Sequence, residues 1–253
     1  MKIGGRAHSL EQVEYIGKIG LDFAEISLFD PVKDRLNISS WKILQDRYQI
    51  GYLAHGAKEG DPWQLHNLKE VFAPTMKELI GLAHELNIGL ITIHFWLDHR
   101  FIPPETILSK IEILKRLVDY ADTKGVIICL ENMSEWGDDL ACAIQTMTGL
   151  RLTLDVGHGE LLSPINTSYE LIKRYSTYLW HVHLHDNYGG NRVEDDLHLP
   201  LGEGSIDFYS ILKLLRASGY DRTLTMEVNP SHFLAGKRYI CEILTTLDND
   251  GMT

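Results

Sequence analysis

Val126-Ile-Ile-Cys-Leu-Glu-Asn132 and, one helical stretch later, Leu150-Arg-Leu-Thr-Leu-Asp-Val156 decide the fold. Each is a short apolar run that closes on a carboxylate, and residues 138–147 between them carry a helical period. Two such runs joined by a helix form the crossover unit of a parallel sheet. Outward from this pair the same unit recurs, with strands expected near 2–7, 23–28, 50–56, 89–95, 126–132, 150–156, 179–185 and 222–228. Helices are expected near 9–20, 39–49, 64–87, 104–124, 138–147, 167–177, 205–218 and 232–247. Ser9 and Gln12 have the spacing of a capping box. Pro103-Pro104 opens a helix with Ile107, Leu108, Ile111, Leu114, Leu117, Val118 and Ala121 on one face, and Gly125 stops it. Eight such units without a Pro/Gly/Ser-rich linker predict one α/β domain over residues 1–253, a closed (β/α)8 TIM barrel. The barrel is favoured over an open nucleotide-binding sheet, whose glycine motifs are missing: Gly4-Gly5 is a pair and not GxGxxG, and no GxxxxGK[ST] occurs.

Composition narrows the function. Hydrophobic residues make up 44% and charged residues 23% of the 253, as in a soluble globular protein. With 24 basic and 35 acidic residues the net charge is −11, which disfavours a nucleic-acid-coating role. Cys129, Cys142 and Cys241 are too scattered for a disulfide framework or a thiolate zinc site, so a reducing, cytoplasmic setting is expected. No apolar run approaches a membrane span, and MKIGGRAHSLEQ lacks the apolar core of a signal peptide. Twelve histidines are an excess that points to chemistry.

Chemistry in such a barrel sits at the C-terminal ends of the strands. Those ends carry His55, His94, Glu131, Asp155 with His158, His183 with His185 and Asp186, and Glu227. Period-two alternation turns Thr92, Cys129, Thr153 and Thr225 inward beneath these groups and sends Ile91, Ile93, Ile128, Leu130, Leu152, Leu154, Leu224 and Met226 out toward the helices. A single strand-end histidine is usually solvated. Six successive ends bearing only His, Asp or Glu are not chance placement, and burying them together without a cation would cost heavily in desolvation and repulsion. His66, His84 and His232 read as surface residues; His8, His99 and His181 read as core or substrate-facing, not as metal ligands. In Asp195-Asp-Leu-His198, Asp196 and His198 can point the same way, ahead of a turn eased by Gly202 and Gly204.

The segments LENM (130–133), LDVGH (154–158), HVHLHDN (181–187), DLHLPLGEGSIDF (196–208) and TMEV (225–228) resemble those of the xylose-isomerase-like TIM barrel superfamily. Its members include sugar isomerases and epimerases and apurinic endonucleases of the endonuclease IV type. The resemblance implies a four-ligand metal site of Glu131, Asp155, His183 and Glu227. The endonuclease pattern adds His55, His94, His158, Asp196 and His198, and all nine positions hold the residue type it requires. The mouth loops are short and carry few basic residues, chiefly Lys58, Arg100 and Arg192, whereas Trp63, Trp96, Phe101, Trp136 and Tyr188 could wall a small-molecule pocket. The expected protein is therefore an isomerase or epimerase of a small sugar or polyol, phosphorylated or not, using one to three divalent ions (Zn, Mn, Co or Fe). Glu131 and Glu227 would move the proton beside a carbonyl, with His158, Arg192, Trp96 and His185 contacting substrate. Two alternatives stand beside it: a multinuclear-zinc phosphodiester hydrolase and a non-catalytic metal-binding barrel. A homodimer through the barrel's helices is the expected assembly.

Overall fold

A computed structural model describes residues 1–250, with the side chain of Asp250 left out. The eight expected strands are present: β1 (Lys2–Ala7), β2 (Phe23–Ser27), β3 (Gly51–His55), β4 (Leu90–His94), β5 (Ile127–Glu131), β6 (Arg151–Asp155), β7 (Leu179–Leu184) and β8 (Thr223–Met226). All pair in parallel in chain order, and β8 returns to β1 with Thr225 opposite Gly4, which closes the barrel.

The alternation read from the sequence holds. Ile91, Ile93, Ile128, Leu130, Leu152, Leu154, Val182, Leu184, Leu224 and Met226 join the hydrophobic core between barrel and helices. Inside, Thr92 and Thr153 share a 2.8 Å hydrogen bond across the barrel, and Thr225 meets His181 at 3.0 Å. Gly4 leaves the space that the Phe23 ring takes, since a Cβ there would lie 2.5 Å from it.

Helices α1 (Leu10–Lys18), α2 (Pro31–Tyr48), α3 (Ala73–Glu85), α4 (Pro104–Asp122), α5 (Gly137–Thr146), α6 (Ser168–Tyr175), α7 (Phe208–Ala217) and α8 (Phe233–Asp250) follow the strands in turn. The Ser9 hydroxyl accepts from Gln12 N, but Gln12 reaches back to the amide of His8 and not to that of Ser9. One boundary differs clearly from expectation. Helix α2 starts at Pro31 and not near residue 39, because the Asp30 carboxylate caps the amides of Val32 and Lys33 and Pro31 has the fixed φ of a first helical turn. The stretch before α3 is also irregular: Pro74 cannot donate to residue 70, and Leu68–Phe72 runs as a π-helical turn. Among the described residues no helix is long and apolar enough to cross a membrane.

Candidate metal centre

Barrel closure brings the strand-end donors together on one rim. Glu131, Asp155, His183 and Glu227 offer ligand atoms all within 4.8 Å of one another. His55, His94 and Glu131 form a second such group, and His158, His185, Asp196 and His198 a third. Asp196 and His198 arrive from the β7–α7 loop, which the Asp186 carboxylate fastens by accepting from the amides of Gly202, Gly204 and Ile206. His198 adopts a left-handed φ of 46°, an uncommon backbone state for a non-glycine residue.

Glu131 joins the groups. Its Oε2 lies 3.2 Å from His55 Nε2 and 3.0 Å from His94 Nε2, while Oε1 lies 3.1 Å from His183 Nδ1 and 3.4 Å from His158 Nδ1. Three of the rings are oriented by backbone carbonyls: His55 Nδ1 pairs with Gly56 O at 3.0 Å, His158 Nδ1 with Asn132 O at 3.1 Å and His198 Nδ1 with Glu227 O at 2.8 Å. Donation of Nδ1–H leaves each Nε2 lone pair for the site, the arrangement that metal-binding histidines use. His55 Nε2 then faces Glu131 Oε2, acceptor toward acceptor, with His94 Nε2 3.3 Å away, and the buried Glu131 Oε2 and Asp155 Oδ2 make no hydrogen bond. That orphaned-oxygen geometry fits a divalent cation.

The electrostatics agree. Burial pushes the Glu131 carboxyl up, yet the charges of His94 and His183 and hydrogen bonds from His158 and His183 hold it well below the usual range. Burial also depresses His183 and His158, but Glu227, Glu25 and Glu131 around the first, and Asp155, Asp196 and Glu131 around the second, lift both well above an ordinary imidazole. His198 rises to about 9 against its burial, chiefly through Asp196. Burial and the Arg6 charge drive His55 down to about 4, so it offers a free lone pair at neutral pH. Protons and cations compete for these donor atoms.

His185 has a different place. Its ring stacks on that of His198 with centroids 3.8 Å apart and 13° between planes, and two parallel, separated planes cannot both contain one cation. Its Nε2 lies 3.0 Å from Asp155 Oδ1, which accepts from His158 N, and neither ring nitrogen of His185 makes a hydrogen bond. Gly157 makes the room, because a Cβ there would fall 2.1 Å from the His185 ring. Arg192 is not brought to the donors: it is exposed and paired with Asp195. Trp96 forms a wall next to His94, stacked on Phe101 with centroids 5.0 Å apart and edge-on to Trp63. Its amide donates to Glu59 and its indole to Ser134.

Sequence reasoning missed Glu25 and Arg6. Both are buried, joined by a 3.1 Å ion pair, and Arg6 Nε stands 3.8 Å from Glu227. The same two-residue alternation applied to FAEIS would have flagged a carboxylate in phase with Phe23 and Ser27.

Glu135 holds the wall's support. Its carboxylate accepts from Leu97 N, Met133 N and Ser134 N, while burial pushes it up to about 7 and these amides pull it only partly back. Because the folded value exceeds the ordinary 4.5, the stability this group contributes is fully present below pH 4.5 and lost as pH rises through about 7. Carbon-13 NMR of the Glu135 carboxyl is expected to titrate near that pH; a midpoint in the ordinary carboxylate range would refute the assignment.

Residues 13–243 match the model of the xylose isomerase-like TIM barrel family. Over 208 residues the chain is 26% identical to the uncharacterized protein MJ1311 of Methanocaldococcus jannaschii, covering 76% of this chain and 69% of that one. Among solved structures, a D-tagatose 3-epimerase-like protein superposes with a TM-score of 0.83 at 24% identity over 99% of both chains. The IOLI protein with a bound zinc atom superposes at 0.77 and 17% identity, over 98% of this chain and 99% of that one. At these identities the solved structures establish the common fold.

Proposed function

The chain belongs to the xylose isomerase-like TIM barrel family, and from that premise we propose that it is a divalent-metal-dependent isomerase or epimerase of a small sugar or polyol derivative. The carrying observation is the convergence of Glu131, Asp155, His183 and Glu227 from four successive strands onto one point. Three carboxylates and an imidazole suit Zn, Mn, Co or Fe. A cation held there would act as a Lewis acid on the substrate's carbonyl and neighbouring hydroxyl oxygens. Glu227 is the proposed base for the carbon beside the carbonyl. It is loosely held, with His183 Nδ1 at 3.4 Å, Arg6 Nε at 3.8 Å and His198 Nδ1 at 3.9 Å, and keeps 10% of its side-chain surface exposed. Against its burial, His183 and Arg6 keep it ionised as a base must be. Glu131 supplies the second carboxylate of the set.

The mouth supports a small, largely uncharged substrate. Arg6 is paired with Glu25, Arg100 with Asp98 and Arg192 with Asp195, which leaves exposed Lys58 as the one of these basic residues without an ion pair among the described residues, whereas a DNA duplex requires several free phosphate contacts. The Trp96–Phe101 wall offers an apolar face of the kind that packs on sugar C–H groups. The likeness to a D-tagatose 3-epimerase-like protein and to a zinc-bearing barrel supports the same reading.

One observation favours a second reading, phosphodiester hydrolysis with several cations: each Glu131 oxygen faces two histidines, and His158, Asp196 and His198 make a further group. Metal content and one pair of variants separate the two. If the epimerase reading holds, Asp196→Ala and His198→Ala lower solvent-proton exchange into a ketose panel by less than about tenfold, the lower bound for losing a group that supports a metal ligand. Complete loss of activity in both variants, with three zinc ions in the wild type and cleavage of abasic-site DNA, establishes the hydrolase.

A further inference from the structure

One layer below the strand ends, Glu25 on β2 is fully buried and accepts from three side chains. Its Oε1 takes Arg6 NH1 at 3.1 Å, its Oε2 takes His181 Nε2 at 2.9 Å, and His183 Nε2 sits 3.1 and 3.0 Å from the two oxygens. His181 Nε2 faces the acceptor-only Glu25 carboxylate and so carries the proton that Glu25 receives, while its Nδ1 lies 2.7 Å from the Thr223 hydroxyl. His183 thus differs from His55, His158 and His198, whose outer nitrogens pair with backbone carbonyls.

We propose that Glu25 is a positioning residue for His183: by accepting Nε2–H it fixes Nδ1 as the donor nitrogen, aimed at Glu131, Asp155 and Glu227. The distances on that side are 3.1 Å to Glu131 Oε1, 3.4 Å to Glu227 Oε1 and 3.6 Å to Asp155 Oδ2, so a ring flip or tautomer change would remove the only nitrogen in this four-donor set. A carboxylate partner also makes the imidazole a stronger donor than a carbonyl partner does. Arg6 and His181 occupy the remaining acceptor positions of Glu25 and stop the carboxylate from swinging to the cation itself. Arg6 serves here as a brace between Glu25 and Glu227 and not as a substrate anchor.

This inference rests on the metal-dependent reading, and its test keeps the two apart. In the full-length protein, Glu25→Gln is expected to weaken cobalt(II) binding by about 10- to 100-fold and to alter the visible spectrum of bound cobalt, with Glu25→Asp recovering part of both. Circular dichroism melting checks that the variants are folded. If Glu25→Gln fails to fold, nitrogen-15 shifts of the wild-type histidines carry the test: with zinc bound, or in alkaline buffer without it, His183 should hold its proton on Nε2. Unchanged cobalt affinity and spectrum in a folded Glu25→Gln protein, or a proton on Nδ1 of His183, overturns the proposal. A wild-type protein that takes up no cobalt or zinc overturns the functional reading alone, because the His183 tautomer is still read directly.

Discussion

Glu131→Gln is expected to leave the barrel folded, to strip the site of cation and to lower proton-exchange activity by about 10²- to 10³-fold, the scale associated with losing a principal electrostatic contact in a dry site. Folding should survive because the neighbours of Glu131 along β5, Leu130 and Ile128, face the hydrophobic core on the other side of the strand. Cation should be lost because one carboxylate serves two donor groups, with His55 and His94 at one oxygen and His158 and His183 at the other. An amide cannot replace it: the nitrogen end carries no lone pair for a cation and would point N–H groups at one of those histidine pairs. Metal content by mass spectrometry, a melting curve and deuterium incorporation together check the outcome. Wild-type metal content in a folded Glu131→Gln protein would remove this carboxylate from the centre of the site.

Glu227→Gln should produce a comparable loss of turnover for a different reason. Glu227 lies just past β8 and its carboxylate makes its closest polar approaches at 3.4 to 3.9 Å, so replacing the side chain disturbs few contacts. Glu131, Asp155 and His183 remain to hold a cation, and binding should weaken less than in the Glu131 variant. What disappears is the proposed proton acceptor, for an expected loss of about 10²- to 10⁴-fold in kcat with a smaller change in KM. Steady-state kinetics alongside deuterium wash-in distinguish the two: the Glu131 variant loses metal and turnover together, the Glu227 variant turnover first. Wash-in at the wild-type rate in Glu227→Gln would exclude it as the base and leave Glu131 or a bound water to serve.

Much of the site was legible because strand parity converts sequence into direction. Once Glu131 is taken as inward, Cys129 follows it and Leu130 and Ile128 must face the helices, and the same logic carries through β4, β6 and β8. The strand-end donors therefore announced themselves as a column of polar residues in a greasy frame. Glu25 and Arg6 went unread because they lie below the rim on β1 and β2, to whose ends the sequence reading assigned no metal ligand. The early start of α2 was hidden in a two-residue signal, Asp30-Pro31, ahead of a helix with little amphipathic contrast: Ile38, Trp41 and Leu44 are buried, while Val32, Leu36 and Ile43 are exposed. The pairing of Arg192 with Asp195 depends on a turn that residue type does not reveal.

By itself, then, the chain determined an eightfold βα alternation, an outward apolar face on each strand and a C-terminal rim rich in His, Asp and Glu. These follow from hydrophobic burial and backbone periodicity, which act locally and leave a local trace. Tertiary structure decided how those donors are shared and oriented: which nitrogen of each imidazole faces the site, that Glu131 serves two groups, and that His185 stacks on His198 within the third. The partners that fix these choices, Asn132 for His158, Glu25 for His183 and Glu227 for His198, lie 26, 158 and 29 residues away along the chain. Only barrel closure brings them within hydrogen-bonding distance, and a hydrogen bond's direction is set by position in space and not by order in sequence.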